Sequence, residues 1–414
     1  MAKLALKPLR DQVIVITGAT SGIGLATARM AAERGATLML LARNEEALKT
    51  LRGELRSKGT RVDYAVADVG DLAAVEAAAE KTIATFGGFD SWVNNAGAAL
   101  FGRLEDTAIE DQRRAFDTLY WGVVHGTLVA GRHLKTRGGK IVNVGSVLSD
   151  RTVALQATYC AAKHAVKGVT DGFRMEFEEA GYPIGVTLIK PSSIDTLFPE
   201  HARNLTGAPG TRLPPPQYHP RVVGRAILHA CTHEARTLVV GMGGYAISLL
   251  GNHAPRLTDY IMEAVARRSQ TTEETGQADR RDNLYEPRAD LSETSSLSGP
   301  PPRRTSLLLE AQMNPLGTTG LLVGLGAVIL GAAIGVQGRR NAAERRIGRA
   351  TQRQALSAAQ YARQTALDLA DRARSQGSRL LHDAGDLAQH GSRGLLREAR
   401  SLARDARREA RRWL

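Results

Sequence analysis

Cysteine is nearly absent from these 414 residues: Cys160 and Cys231 are the only two. A lone pair in so long a chain is no disulfide framework, and it fits a reducing compartment. A secretory signal is missing as well. Residues 1–10 have no apolar run of the needed length and lead straight into a strand-like segment, which keeps the body of the chain in the cytoplasm. Metal-ligand spacing is lacking among His125, His164, His219 and His253, so no metal is expected. Lysine does not occur after residue 337, where 18 arginines face 8 acidic residues. The formal net charge of +13 is therefore concentrated at the carboxy-terminal end, and a basic, nucleic-acid-binding body is not implied.

What is present divides by composition. Residues 1–268 mix β-branched runs, glycines and periodic apolar residues, as a packed α/β domain does. Strand-like segments at 13–17, 37–41, 61–67, 91–94, 140–144 and 185–189 alternate with helical stretches, among them 45–57 and 71–86, and 237–241 offers a late edge strand. Strands alternating with crossover helices predict a doubly wound parallel sheet, a Rossmann fold. Residues 269–312 are polar and rich in Pro and Ser, which predicts an exposed linker.

Within the next segment, 313–337, residues 316–336 carry no charge and would make a helix of roughly 30 Å, a bilayer core's thickness. This is a candidate transmembrane helix, with Gly320/Gly324 and Gly331/Gly335 marking a face for close helix contact. The tail, 338–414, is Ala/Arg-rich with leucines at 380, 387, 395 and 402, an amphipathic helical stripe interrupted by glycines. Lipid surface or self-association suits it better than nucleic acid, because Tyr361 and Trp413 are its only aromatics.

The first strand runs into Thr17-Gly-Ala-Thr-Ser-Gly-Ile-Gly24. Glycines 18, 22 and 24 between a strand and a helix permit a tight turn and close backbone approach to a pyrophosphate at the helix N-terminus. Tyr159 and Lys163 are four residues apart, on one face of a helix and within reach of one site. The end of the second strand, Leu40-Leu-Ala-Arg43, has no acid for a ribose 2′-hydroxyl and has an arginine that suits a 2′-phosphate, so NADP(H) is favoured, with NAD(H) possible.

The TGxxxGxG spacing resembles the short-chain dehydrogenase/reductase family, and three further segments follow in that family's order: Asp68-Val69, Asn94-Asn-Ala-Gly97, and Tyr159-Cys-Ala-Ala-Lys163 with Ser146 thirteen residues before the tyrosine. The resemblance covers roughly residues 8–265. It implies hydride transfer between a nicotinamide cofactor and a small carbonyl or alcohol substrate, in a protein that forms homo-oligomers. It also implies roles: Tyr159 as acid/base, Lys163 lowering its pKa and binding the nicotinamide ribose, and Ser146 donating to the substrate oxygen. The cofactor-binding set it implies is Thr17, Gly18, Ser21, Gly22, Ile23, Gly24, Arg43, Asp68, Val69, Asn94, Ala96, Gly97, Tyr159, Lys163, Pro191, Ile194 and Thr196.

Two departures stand out. Leu119 occupies the position where relatives carry an asparagine that holds a water in the proton relay, and Pro191 is followed by serine instead of glycine. The first leaves open a rival reading, a membrane-tethered dinucleotide-binding scaffold or sensor with weak turnover. The long segment 195–218 is expected to close over the substrate as a lid. Asp282–Pro287 resembles a segment of one bacterial branch of the family, with no physical role evident from the sequence. Membrane topology stays open: the arginines after residue 337 would retain the tail in the cytosol, where the dinucleotide domain must also lie.

Overall fold

Seven strands form one sheet in the computed structural model: β1 (Val13–Thr17), β2 (Thr37–Ala42), β3 (Val62–Val66), β4 (Ser91–Asn94), β5 (Gly139–Val144), β6 (Ile184–Pro191) and β7 (Thr237–Val240). Their spatial order is β7-β6-β5-β4-β1-β2-β3, and all pairs are parallel, with Val13 opposite Thr37 and Ile14 opposite Ser91. The order reverses between β1 and β4, so the carboxyl ends of these two strands open a crevice where a ligand can enter. The structure describes residues 4–275, 282–288 and 291–314, together with Gln360 and Gln364.

Parallel strands need covered faces, and the helices supply the cover. They are α1 (Gly22–Ala32), α2 (Glu45–Ser57), α3 (Leu72–Phe86), α4 (Ile109–Phe116), α5 (Gly122–Arg137), α6 (Ala157–Glu179) and α7 (Pro220–Thr232). Side chains alternate across a strand, and the core divides accordingly. Ile14, Ile16, Leu38 and Leu40 cluster with α1, α2 and α7, whereas Val15, Met39 and Leu41 cluster with α3 and α5. Each fully buried Leu or Ile contributes about 1.5–3 kcal/mol, so the two clusters dominate stability. Asn44 and Asp71 fix where α2 and α3 begin, accepting from the amides of Ala47 at 2.8 Å and Ala73 at 2.9 Å. Beyond β7 come α8 (Met242–His253), α9 (Pro255–Gln270) and α10 (Leu307–Met313).

The segment 269–312, expected as an exposed linker, is exposed at Tyr285 and Leu307 but docks on the domain at other described residues. Leu284 and Leu309 are fully buried and Ser306 nearly so. Ser306 Oγ accepts from the amide of Gly241 at 3.1 Å, and the amide of His219 donates to Arg303 O at 2.9 Å. Backbone polar groups do most of this docking, and they leave no trace in hydrophobic periodicity. The segment 195–218, expected to close over the substrate, is tied down by short pairings. Arg203–Asn204 pairs with Leu100–Phe101, Gly210–Thr211 pairs with Thr271–Thr272, and Tyr218 bridges Ile194 and Arg303.

The chain divides into two compact units, Met1–Met313 and Asn314–Leu414. The candidate transmembrane segment 316–336 and the tail 338–414 belong to the second and lie outside the described residues, apart from Gln360 and Gln364. Among the described residues no helix is long and apolar enough to cross a membrane.

Candidate active site

The glycine-rich turn at the end of β1 is shaped by crowding. A Cβ on Gly24 would lie 2.0 Å from Gly18 O, and Gly18 itself has φ +65° with Ala96 Cα only 2.8 Å from where its Cβ would be. The strand end, the turn and the segment after β4 can meet only with bare backbone here. Thr17 secures the junction, its Oγ1 accepting from the amides of Asn95 at 2.9 Å and Ala96 at 3.0 Å. Asn95 Nδ2 adds a bond to Thr17 O at 2.9 Å. Ser21 caps α1 without using its side chain, and Ser21, Ile23, Ala96 and Gly97 line the crevice. Thr196 closes over the turn from the segment after β6, within 3.2 Å of the Gly22 Cβ position. Pro191 and Ile194 border the same space.

Asn94 departs from its expected place at the cofactor. Its Oδ1 accepts from Trp92 Nε1 at 2.8 Å and its Nδ2 donates to Asn143 Oδ1 at 2.8 Å, in a buried network beneath the sheet end. Asp68 and Val69 do border the groove beside Gly97. Burial alone would raise the Asp68 carboxyl, but hydrogen bonds from Arg114 Nη2 at 2.5 Å and the Gly70 amide outweigh it and hold it below its ordinary value.

Arg43 borders the same groove. Instead of projecting freely for a 2′-phosphate, its terminal nitrogens donate to the carbonyls of Leu284 at 3.3 Å, Tyr285 at 3.0 Å, Glu286 at 3.5 Å and, closest of all, Asn283. Burial lowers its pKa from the ordinary value, opposed by the charge of Asp68. Because carbonyls are neutral acceptors, the guanidinium charge still bears on the groove.

The three expected catalytic residues come together in a cleft of about 650 Å³. Ser146, just past β5, caps a short turn by accepting from the Leu148 amide at 3.0 Å. Tyr159 lies in the first turn of α6, with the Phe198 ring edge-on at 5.4 Å. Lys163, one turn on, donates from Nζ to Val144 O at 2.7 Å and lies 5.8 Å from the Tyr159 ring centre. Burial pushes the Tyr159 phenol well above its ordinary value, with the Ser146 hydrogen bond working against it. Lys163 is pushed down to about 8 by burial. The Lys163 hydrogen bond goes to a backbone carbonyl, and it is desolvation that sets the direction of the Tyr159 shift.

Leu119 sits in a π-helical turn, Asp117–Trp121, between α4 and α5, a rare geometry often found at functional sites. It is buried against Leu100, Ala115 and Leu284 while still bordering the cleft. Sequence reasoning missed Arg114 and found no role for Asn283 and Leu284 within Asp282–Pro287, while His201 lies in the segment 195–218 expected over the substrate. It also missed the apolar wall from α8 and α9, Ile247, Ile261 and Met262, which faces Val147, Leu148 and Phe198.

Comparison with known proteins agrees with this geometry. The short chain dehydrogenase pattern matches residues 12–204. A Bacillus subtilis protein named as an uncharacterized oxidoreductase, YxnA, is 43% identical over 325 residues, covering 78% of this chain and 91% of its own. The chain belongs to the short-chain dehydrogenase family. It is an oxidoreductase of that type. Dehydrogenase/reductase SDR family member 7B of Xenopus tropicalis is 36% identical over 195 residues, 45% of this chain and 62% of that protein. Among solved structures, a short-chain dehydrogenase from Streptomyces avermitilis aligns with a TM-score of 0.52 at 25% identity, over 62% of this chain and 98% of that one. The likeness to YxnA takes in 78% of the chain, more than the first 268 residues can supply, so it reaches into the segment that the Rossmann pattern alone does not explain.

Proposed function

We propose that this oxidoreductase exchanges a hydride between a nicotinamide dinucleotide and the carbonyl or alcohol group of a bulky, apolar substrate. One observation carries the reading: Ser146, Tyr159 and Lys163 border a single cleft that has the glycine-rich turn at one end and an apolar wall at the other. The residues fit a dinucleotide, because bare backbone at Gly18 and Gly24 lets the tight turn form at the start of α1, where Gly18, Ser21, Gly22 and Ile23 border the open cleft. The dinucleotide supplies the hydride when bound. Thr17, Gly18, Ser21, Ile23 and Gly97 would hold it, with Asp68 and Val69 at the adenosine end and Thr196 closing over the turn.

The chain's own part in reduction is proton management. Ser146 and Tyr159 donate hydrogen bonds to the substrate oxygen as negative charge develops there. Tyr159 then passes its phenolic proton to that oxygen, forming the alcohol O–H, and the Lys163 ammonium stabilises the phenolate left behind. The raised Tyr159 pKa keeps the phenol protonated, the form that donates to the substrate oxygen in reduction. The apolar wall excludes water and selects a hydrophobic substrate body.

NADP(H) over NAD(H) is supported by the lack of an acid at the end of β2 and by Arg43 and Arg288 at the groove. Attachment to a membrane, with the catalytic domain in the cytoplasm, is supported by the uncharged run 316–336 alone. The deciding experiment is oxidation of NADPH, and separately of NADH, by the full chain against a panel of hydrophobic aldehydes and ketones. Turnover by the wild type, a loss of about 10²–10⁴-fold in Tyr159→Phe and retained dinucleotide binding are expected. Equal turnover in the variant would sink the mechanism, and binding without turnover across the panel would favour a dinucleotide-binding scaffold.

A further inference from the structure

The segment after α9 crosses the dinucleotide groove, and its anchors lie on every side of it. Arg43 at the end of β2 holds four successive carbonyls, Asn283 to Glu286. Arg114 on α4 donates from Nε to Leu284 O at 3.0 Å while keeping its bond to Asp68. Tyr285 Oη donates to Asp111 Oδ1 at 2.8 Å. On the opposite side, the Asn283 amide donates to His201 O at 2.9 Å, and Arg203 Nη1 to Asp282 Oδ2 at 3.0 Å. Farther on, Ser292 O accepts from the Gly22 amide at 2.9 Å, and Glu293 is held between Arg29 and Arg221, each at 3.1 Å. Leu284 is buried against Ala98, Ala115 and Leu119.

This strap roofs the groove without filling it. Gly18, Ser21, Asp68, Val69 and Gly97 still border open space, with Asn283 and Pro287 as the facing wall. Asn283 borders the catalytic cleft too, so it stands where the two halves of the groove meet. Its Oδ1 is buried and has no hydrogen-bond partner. A buried acceptor left unpaired is costly, and its presence in a groove wall points to a donor supplied by a ligand. A dinucleotide presents such donors in its ribose hydroxyls.

We infer, on the reading of the site given above, that residues 282–288, with 291–293, are a built-in outer wall of the dinucleotide site. Asn283 Oδ1 accepts a ribose hydroxyl of the bound dinucleotide, and the strap must open before the dinucleotide leaves. Arg43 is then a strap anchor whose charge also serves the groove. Slow release follows, because departure requires breaking contacts to β2, α4 and the segment after β6 together.

The test is dissociation of NADPH from the full-length protein, followed by stopped-flow fluorescence on mixing with excess NADP⁺, with melting of the ligand-free protein as the control for folding. Asn283→Ala should release NADPH about tenfold faster, the loss of one buried hydrogen bond, and Asn283→Asp, which keeps an acceptor, should recover part of that. Tyr285→Phe, at a half-exposed position that folding tolerates, should also speed release by loosening the strap from Asp111. Unchanged rates in both Asn283→Ala and Tyr285→Phe would overturn the inference. Tighter NADPH binding in Tyr285→Phe would overturn it as well, since the strap would then be a competitor of the dinucleotide. A wild type that binds neither NADPH nor NADH would overturn the functional reading itself, and this inference with it.

Discussion

Gln312 completes the edge of the sheet at Val239. Its Oε1 accepts from the Val239 amide and its Nε2 donates to the Val239 carbonyl, each at 3.0 Å. A side-chain amide thus does for β7 what a further strand would do, and the exposed edge is covered by the chain's own α10.

Stability should follow from that pair. Gln312→Ala leaves the Val239 amide and carbonyl without these partners, at a cost of about 1–3 kcal/mol. A chain ended at residue 268 loses this pair and also the burial of Leu284 and Leu309, so it should melt lower still. Urea unfolding of the three proteins checks the order. Equal midpoints for the 1–268 fragment and the full chain would show that α10 and the strap are passengers.

Most of the sheet was legible in the sequence because its strands carry short apolar runs such as Val13–Ile16, Leu38–Ala42 and Leu238–Val240, the mark of strands buried on both faces, and Thr237–Val240 did prove to be an edge. The crevice was legible for a different reason. Gly18 and Gly24 are positions where one residue type answers one geometric demand, whereas Ser146, Tyr159 and Lys163 were located by their match to a family motif. The strap was not legible. Its anchors are carbonyls, which every residue carries, and its one deep contact, Leu284, stands alone among polar neighbours. Arg43 was found, but a cation placed for a phosphate and one placed for carbonyls look the same in a sequence. Leu119 reads as a lost polar group, whereas in the fold it joins the apolar cluster that holds Leu284.

Membrane attachment is tested by a deletion that respects these contacts. Removing residues 315–414 keeps Gln312 and all of α10 while discarding the uncharged run and the basic tail. The shortened protein should move from the membrane pellet to the supernatant on fractionation, with its melting temperature within a few degrees of the parent's. An unchanged pellet would assign any attachment to the enzyme domain, where Leu257 and Tyr260 of α9 are among the exposed apolar side chains.

The final expectation concerns pH, and it sets activity against stability. Lys163 is held near 8 by burial, below its ordinary 10.5. Below about pH 8 it is charged and can stabilise the phenolate of Tyr159, so log kcat/KM for reduction should be flat there and fall above it with a slope near −1. Lys163→Arg, whose guanidinium stays protonated, should remove that descending limb even if its rate is lower. Folding responds the other way. Between about 8 and 10.5 the unfolded chain keeps the proton that the folded chain has released, so the unfolded state binds more protons and this lysine's contribution to stability rises with pH. Lys140, likewise near 8, adds a parallel slope of its own. The difference in urea midpoint between wild type and Lys163→Met, measured from pH 7 to 10.5, isolates the first lysine. It should shift in the wild type's favour across that window while the wild type's reductase activity declines. A flat difference would mean that Lys163 titrates alike in both states, and the activity limb near pH 8 would then need another owner.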